Sequence, residues 1–242
     1  MKDQMFLEAI RQSFETYLTF GSRSNAKLKP LHGTIASDLQ KQFGYEYEVF
    51  SLGYKEDKEA TVIGRYFPKA VDIVVKKGDA VVAGYAVKFV MQNYLQNSNN
   101  YFEGMLGETA NIRTARIPYF QIFITFEKVP YYNKDRKFMR YDKISYHNIQ
   151  KYLVLSQDDP HCFFHTPDKV LLVILRLKEK SPDYQFKDAK DYAAYYKSVL
   201  NDNDLLTYSE SIDNQFGNGC ILNNYELFIR KSYHIADGAT NS

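Results

Sequence analysis

The stretch that decides the fold is AVDIVVKKGDAVVAGYAVKF, residues 70–89. It consists of two apolar, β-branched segments separated by Lys-Lys-Gly-Asp, a composition typical of two strands joined by a tight turn. Each segment carries one charge in its interior, Asp72 in the first and Lys88 in the second. Because burying an unpaired charge in a sheet is costly, each of these side chains needs an ionic partner, a metal or a cleft.

The position of the turn decides whether the two charges share a face of the hairpin. If the turn is centred on Gly78, Asp72 lies opposite Gly84 and Lys88 projects from the same side, because side chains alternate along a strand. A two-residue turn at 78–79 would instead put the charges on opposite faces. We expect the first arrangement.

Periodic segments flank this hairpin on both sides. We expect helices over residues 5–19, 32–43, 99–116 and 184–200, and strands over residues 47–52, 61–75, 80–90, 118–126 and 170–177. The strand at 118–126 is dense in aromatic and aliphatic residues, which predicts a central position in the sheet. Residues 128–143 are predicted to form a long loop.

Composition limits the class of protein. The chain has 242 residues, 45% hydrophobic and 25% charged, as in ordinary globular proteins. We expect one domain over residues 1–242, with a core at about 32–126 and C-terminal additions at 127–242. Two cysteines are too few for a disulfide scaffold or a zinc ribbon, and the segment His161-Cys162-Phe163-Phe164-His165 lacks the fourth ligand of structural zinc.

The same composition bears on location and partners. No apolar run is long enough for a membrane span, and the polar first residues differ from a signal peptide, so we expect a cytoplasmic protein without membrane contact. A net charge of +2 means that any affinity for nucleic acid must come from local clusters. Because the chain has no Gly-rich phosphate loop, we expect no nucleotide cofactor.

The order of these elements resembles the PD-(D/E)xK nuclease superfamily. The resemblance is carried by the strand residue Asp72, the hairpin, the Lys of Ala86-Val87-Lys88, a following helix and a buried strand, over about residues 32–126. Within it, residues 86–94 and 97–108 are similar to type II restriction endonucleases. The resemblance implies an α/β restriction-endonuclease-like core, with a mixed central sheet flanked by helices.

The chain departs from the family pattern at Ala86, where a carboxylate is expected two residues before Lys88. Some type II restriction enzymes carry this carboxylate on the following helix instead, and Glu103 and Glu108 are the candidates here. Five residues separate them, about 140° around a helix, so the two do not easily aim at one site. We favour Glu103 for its spacing and keep Glu108 as the alternative. The other interpretation is that Ala86 marks an inactive member.

The resemblance implies a Mg²⁺-dependent endonuclease that cuts double-stranded DNA at a specific sequence as a homodimer. Asp72 and Glu103, or Glu108, would bind Mg²⁺, and Lys88 would orient or deprotonate the attacking water. An acidic residue from the segment before the hairpin often completes such a site, and the chain offers Asp38, Glu48 and Glu59. The alternatives are a catalytically inactive DNA-binding protein on the same core, or a repair or phage-type nuclease of the superfamily.

Two kinds of side chain are candidates for contacts with DNA. Asn and Gln amides can pair with adenine in the major groove, and the candidates are Gln92, Asn93, Asn97, Asn99 and Asn100. The alternative for this segment is a polar loop with Asn99 or Asn100 as a helix cap. Basic residues suit phosphate contacts, and the candidates are Arg113, Arg116, Lys134, Arg136 and Lys137. The alternative for the basic segment is a solvated loop.

Overall fold

The computed structural model describes residues 2–179, 181, 183–202, 204–212 and 215–240. The helices are α1 (Lys2–Phe20), α2 (Lys29–Phe43), α3 (Tyr94–Arg113), α4 (Tyr146–Leu155), α5 (Ala189–Ser198) and α6 (Tyr225–Thr240), with a short 3₁₀ helix at Asn25–Lys27. The first strands are β1 (Glu48–Ser51), β2 (Ala60–Ile63), β3 (Pro68–Val71), β4 (Ile73–Lys77), β5 (Ala80–Val90) and β6 (Tyr119–Phe126). They are followed by β7 (Lys128–Tyr132), β8 (Phe138–Lys143), β9 (Lys169–Leu177), β10 (Leu206–Tyr208) and β11 (Cys220–Leu222).

The central sheet has the strand order β1-β4-β5-β6-β9-β10, and β11 also pairs with β9. Strands β5, β6 and β9 are parallel, whereas β1, β4 and β10 run antiparallel to their neighbours. Every residue of β6 is buried, as its position in the middle of a sheet covered on both faces requires. The predicted α/β class, with a mixed central sheet flanked by helices, is confirmed. The sheet continues past residue 126, because β9 is one of its inner strands.

The two faces of the sheet are covered by different helices. On one face, α1, α2 and α6 pack together, and the rings of Phe6 and Tyr225 stack with their centroids 4.0 Å apart. Tyr85 points to this side, where its hydroxyl donates to Ser232 of α6 at 3.2 Å. On the other face lies α3, where Gln121 of β6 donates to Thr109 at 3.3 Å. Alternate residues of β5 and β6 therefore project towards α3.

The hairpin between β4 and β5 differs from the expected one, but the two charges still share a face. Lys77 pairs with Ala80, so the turn has two residues. A β-bulge next to Lys76 then shifts the register, and further along Val74 pairs with Gly84. Ile73 then pairs with Tyr85, and continued by one more residue this register sets Asp72 against Ala86, not Gly84. Because the bulge adds one residue to β5, it reverses the alternation and returns Lys88 to the side of Asp72.

Other predicted boundaries were wrong. The strand expected over 61–75 is three strands, because Asn111 of α3 holds a turn between β2 and β3 by accepting from Tyr66 N–H at 2.9 Å and donating to the Phe67 carbonyl at 3.0 Å. The loop expected over 128–143 is mostly the hairpin β7–β8, whose turn is closed by Asn133 Oδ1 accepting from two backbone N–H groups.

Helices α1 and α2 begin three residues before the expected positions, two other helices begin five residues away from theirs, and two helices were not predicted. Helix α3 begins at Tyr94 rather than residue 99, so Asn99 and Asn100 lie inside it and neither caps it. The helix expected over 184–200 spans Ala189–Ser198. Helices α4 and α6 had no counterpart in the sequence-based prediction. None of the helices in the described residues is both long enough and apolar enough to cross a membrane.

Candidate active site

A cleft of about 700 Å³ opens on the α3 side of the sheet. Its walls come from the C-terminal half of β5, the adjoining part of α3 and the segment between α1 and α2. Three of the charged side chains that line it were predicted from the sequence as site residues: Asp72, Lys88 and Glu108. The cleft also contains Lys69 and one lysine that was not predicted, Lys27. The structure thus brings acidic and basic groups together beside the start of β4 and the adjacent part of β5.

Asp72 sits at the break between β3 and β4, where its side chain turns into the interior. Its Oδ2 accepts from Val87 N–H at 2.7 Å, and its carbonyl accepts from Ser51 Oγ at 2.9 Å. Burial raises the pKa of this carboxyl to about 6. The Val87 N–H opposes the rise in pKa, whereas the nearby carboxylates of Glu108 and Glu59 add to it. A cation beside Asp72 would relieve this crowding of negative charge.

Glu108 supplies the second carboxylate of the cleft, from the side of α3 that faces the sheet. Its Oε1 accepts from the Tyr119 hydroxyl, and its Oε2 lies 3.1 Å from Lys69 Nζ. Burial and the Glu108 charge together hold the pKa of Tyr119 well above its usual range, so the phenol stays protonated and keeps donating. These two contacts orient the carboxylate.

Glu103, the carboxylate favoured by sequence spacing, does not line the cleft. It is exposed, and its charge acts on Lys151, at a different part of the surface. The physical reason is their position around the helix: Glu103 and Glu108 lie about 140° apart on α3, and the side that packs on the sheet carries Glu108. Glu108 therefore replaces Glu103 as the candidate ligand.

Lys88 is the one exposed residue between Val82 and Val90 of β5. Its ammonium lies 5.1 Å from the centre of the Tyr101 ring of α3, an attractive cation–π contact. Burial and the nearby charge of Lys88 together lower the pKa of Lys27. Ala86, where the family pattern has a carboxylate, is buried in the wall of the cleft and offers no ligand atom.

The three acidic residues that the sequence offers to complete the site lie far apart in the structure. Asp38 is buried under α6, where Tyr225 donates to it at 3.2 Å, and Glu48 is exposed on the edge strand β1. Glu59 alone lies near Asp72. Its carboxylate, that of Asp72 and a ring nitrogen of His32 have ligand atoms within 4.8 Å of one another. His32 was missed, because its position in the apolar pattern of α2 resembles that of a core residue.

Most of the predicted amide candidates line the cleft, but several already have partners. Gln92 accepts from the Tyr17 hydroxyl at 2.7 Å. Asn93 holds the end of β7 by accepting from Tyr132 N–H at 2.8 Å and donating to its carbonyl at 3.1 Å. Asn97, which donates to the Asn93 carbonyl at 3.2 Å, and Asn100 also line the cleft.

Asn99 projects elsewhere, because it lies on the side of α3 that faces α4. Its Oδ1 accepts from Lys151 Nζ at 3.2 Å, and both residues line a separate pocket. Asn99 therefore does not share the cleft with Asp72, although it was predicted together with the other amides.

The basic candidates divide into one structural residue and four exposed ones. Arg113 is buried. It pairs with Asp168 at 2.8 Å and donates to the carbonyls of Pro160 and Thr166 at 2.8 Å each, so its guanidinium is engaged within the protein and does not face DNA. The four exposed ones are Arg116, Lys134, Arg136 and Lys137. Of these, Arg136 acts electrostatically on Tyr17, a residue of the cleft wall.

Comparison with known proteins gives no family for this chain: no family model, no curated protein and no solved structure matches it.

Proposed function

We propose that the protein is a Mg²⁺-dependent endonuclease that cuts double-stranded DNA at a specific sequence, in the manner of type II restriction enzymes. One observation carries the proposal: the carboxylates of Asp72 and Glu108 and the amine of Lys88 line the same cleft. Two carboxylates and a lysine are the donor set that metal-assisted phosphodiester hydrolysis needs. The location would be the cytoplasm, where such an enzyme meets its DNA.

The residues of the cleft suit a hard divalent cation. Mg²⁺ prefers carboxylate oxygens and is often held by one or two of them together with substrate phosphate. Asp72 and Glu108 would hold it, and the raised pKa of Asp72 fits a position that a cation stabilises. When bound, Mg²⁺ would polarise the scissile phosphate and make a bound water more acidic.

The protein's own side chains have separate roles in this proposal. Lys88 would hold the attacking water or a non-bridging phosphate oxygen and offset negative charge as it develops. Lys69 pairs with Glu108 at 3.1 Å, and it would shift towards phosphate when a cation binds Glu108. Tyr119 would keep Glu108 oriented during this exchange.

DNA contacts would come from the amide side of the cleft and from the exposed basic turn. Asn97 and Asn100 are the amides best situated to reach bases, whereas Arg136 and its neighbours Lys134 and Lys137 would contact phosphates. A homodimer is proposed from the class, since two-fold symmetry suits a palindromic site.

Cleavage of DNA of mixed sequence with Mg²⁺ tests the proposal. We expect discrete fragments from the wild-type protein and none with Lys88→Ala or Glu108→Gln. Glu103→Gln is the matched control, because it makes the same change five residues away on the same helix but outside the cleft. Intact DNA with the folded wild-type protein, across many sequences and with either Mg²⁺ or Mn²⁺, would contradict nuclease activity.

Ala86 favours a second candidate function, a DNA-binding protein without catalytic activity. An alanine at this position removes a ligand that most active relatives of the superfamily would carry. A gel shift with DNA that depends on Arg136 but produces no cleavage with either metal would select this candidate.

A further inference from the structure

His32 is a buried polar side chain without a partner. It lies on α2 and is 0% exposed, and neither of its ring nitrogens makes a hydrogen bond within the part of the chain that the structure describes. An unsatisfied buried polar group costs about 1–3 kcal/mol. A ligand bound to a ring nitrogen of His32 would remove part of this cost.

The neighbours of His32 are what a cation would need. A ring nitrogen of His32 and carboxylate oxygens of Glu59 and Asp72 lie within 4.8 Å of one another. Each comes from a different part of the fold: α2, the segment before β2, and the break between β3 and β4. Ligands about 2.1 Å from a zinc ion lie about 3.4 Å apart in a tetrahedron, so small side-chain movements would close this set around one ion.

The charges and the chemistry of the three donors agree. Burial lowers the pKa of His32 to about 4, so the imidazole is neutral at physiological pH and has a lone pair to give. Two carboxylates and a neutral imidazole together offset a divalent charge. Imidazole suits zinc, cobalt and nickel, whereas Mg²⁺ and Ca²⁺ take oxygen ligands.

We propose that His32, Glu59 and Asp72 form a binding site for a divalent transition metal of the zinc type, which this site takes in preference to Mg²⁺. Asp72 is the only one of the three that also lines the cleft, so it is shared between this site and the proposed Mg²⁺ site. The proposal needs no nuclease activity; if the proposed function holds, this ion would sit beside the catalytic one and lower the pKa of Asp72.

Metal binding to the free protein tests this site without DNA. The untagged, metal-stripped protein is titrated with Co²⁺ and Zn²⁺, and binding is followed by Co²⁺ visible absorption and by calorimetry. We expect one ion per chain that a hundredfold excess of Mg²⁺ does not displace. His32→Asn removes a ligand and should weaken binding by about tenfold or more, because even outer-shell changes have effects of that size.

Two further variants keep the test decisive. Glu59→Gln changes a half-buried ligand and should weaken binding similarly even if His32→Asn folds poorly. The control replaces both exposed histidines of the surface segment, His161→Ala with His165→Ala, and should leave Co²⁺ binding unchanged.

Three results would overturn the proposed site: no Co²⁺ or Zn²⁺ binding, binding that both His32→Asn and Glu59→Gln leave intact, or binding that the control variant abolishes. DNA cleavage with Mg²⁺ by a protein that fails this test would leave the proposed function standing. Metal binding without cleavage would reject the proposed function alone.

Discussion

Replacing Asp72 with asparagine should stabilise the metal-free protein at neutral pH. Asp72 is held in the interior, where burial and the carboxylates of Glu108 and Glu59 raise its pKa from 3.8 to about 6. Asparagine keeps an oxygen that can accept from Val87 N–H, so the change removes the charge and retains the hydrogen bond. A residue placed for function at the expense of stability behaves in this way.

The magnitude follows from the two pKa values. Between pH 3.8 and about 6 the folded carboxyl keeps a proton that the unfolded chain has lost, so the free energy of unfolding of the wild type falls as the pH rises through this window. Above pH 6 the loss is complete and amounts to about 3 kcal/mol. For a chain of this length, that corresponds to an increase of about 6–12 °C in the Tm of Asp72→Asn at pH 7.5.

Thermal unfolding in EDTA at pH 7.5 and at pH 4 measures this effect. The gain in Tm should be large at pH 7.5 and nearly absent at pH 4, where the wild-type carboxyl is protonated in the folded state. The control is Asp79→Asn, the same change at an exposed position in the turn of the same hairpin, with an effect within about 0.5 kcal/mol. An Asp72→Asn variant that is no more stable than the wild type at pH 7.5, or equally stabilised at both pH values, would refute the reasoning.

Three further predictions concern the cleft and its supports. Glu108→Gln should weaken Mg²⁺-dependent DNA cleavage by at least about a hundredfold, whereas Glu103→Gln should keep wild-type rates; equal effects of the two changes would count against the assignment. Lys88→Ala should abolish cleavage but leave Tm within about 2 °C, because the side chain is exposed, as circular dichroism melting would check. Arg113→Ala should lower the free energy of unfolding by about 3 kcal/mol in urea titration, since it leaves Asp168 without its ionic partner and the carbonyls of Pro160, Phe163 and Thr166 without the guanidinium donor; a loss under about 1 kcal/mol would exclude the structural role.

The sequence was sufficient to predict the main sheet strands and the position of Asp72 and Lys88 on the same face of the hairpin. Apolar runs of β-branched and aromatic residues identify β6 and β9 because these strands are buried on both sides. The two charges were correctly predicted to share one face of the hairpin, although the predicted turn was wrong. The turn has two residues, and a β-bulge next to Lys76 restores the alternation of side chains. No local residue pattern predicts this bulge.

The remaining errors have a common cause in tertiary contacts. Asn111 breaks the expected strand at 61–75 from a distance of more than forty residues along the chain, through hydrogen bonds to the β2–β3 turn. Glu103 was favoured over Glu108 for its spacing from Lys88, but the packing of α3 on the sheet decides which of the two lines the cleft, and it places Glu108 there. His32 has the spacing of a core residue, and only the fold brings it to Glu59 and Asp72.

The most direct test of the site is the location of bound metal in crystals of the protein soaked with Mn²⁺, from anomalous scattering. Mn²⁺ substitutes for Mg²⁺ at oxygen ligands and is visible where Mg²⁺ is not. We predict an anomalous peak at coordinating distance from the Asp72 carboxylate, with Glu108 as a further ligand, and no such peak in Asp72→Asn. Peaks confined to surface carboxylates, with none at Asp72 in the wild-type protein, would contradict a metal-dependent active site in this cleft.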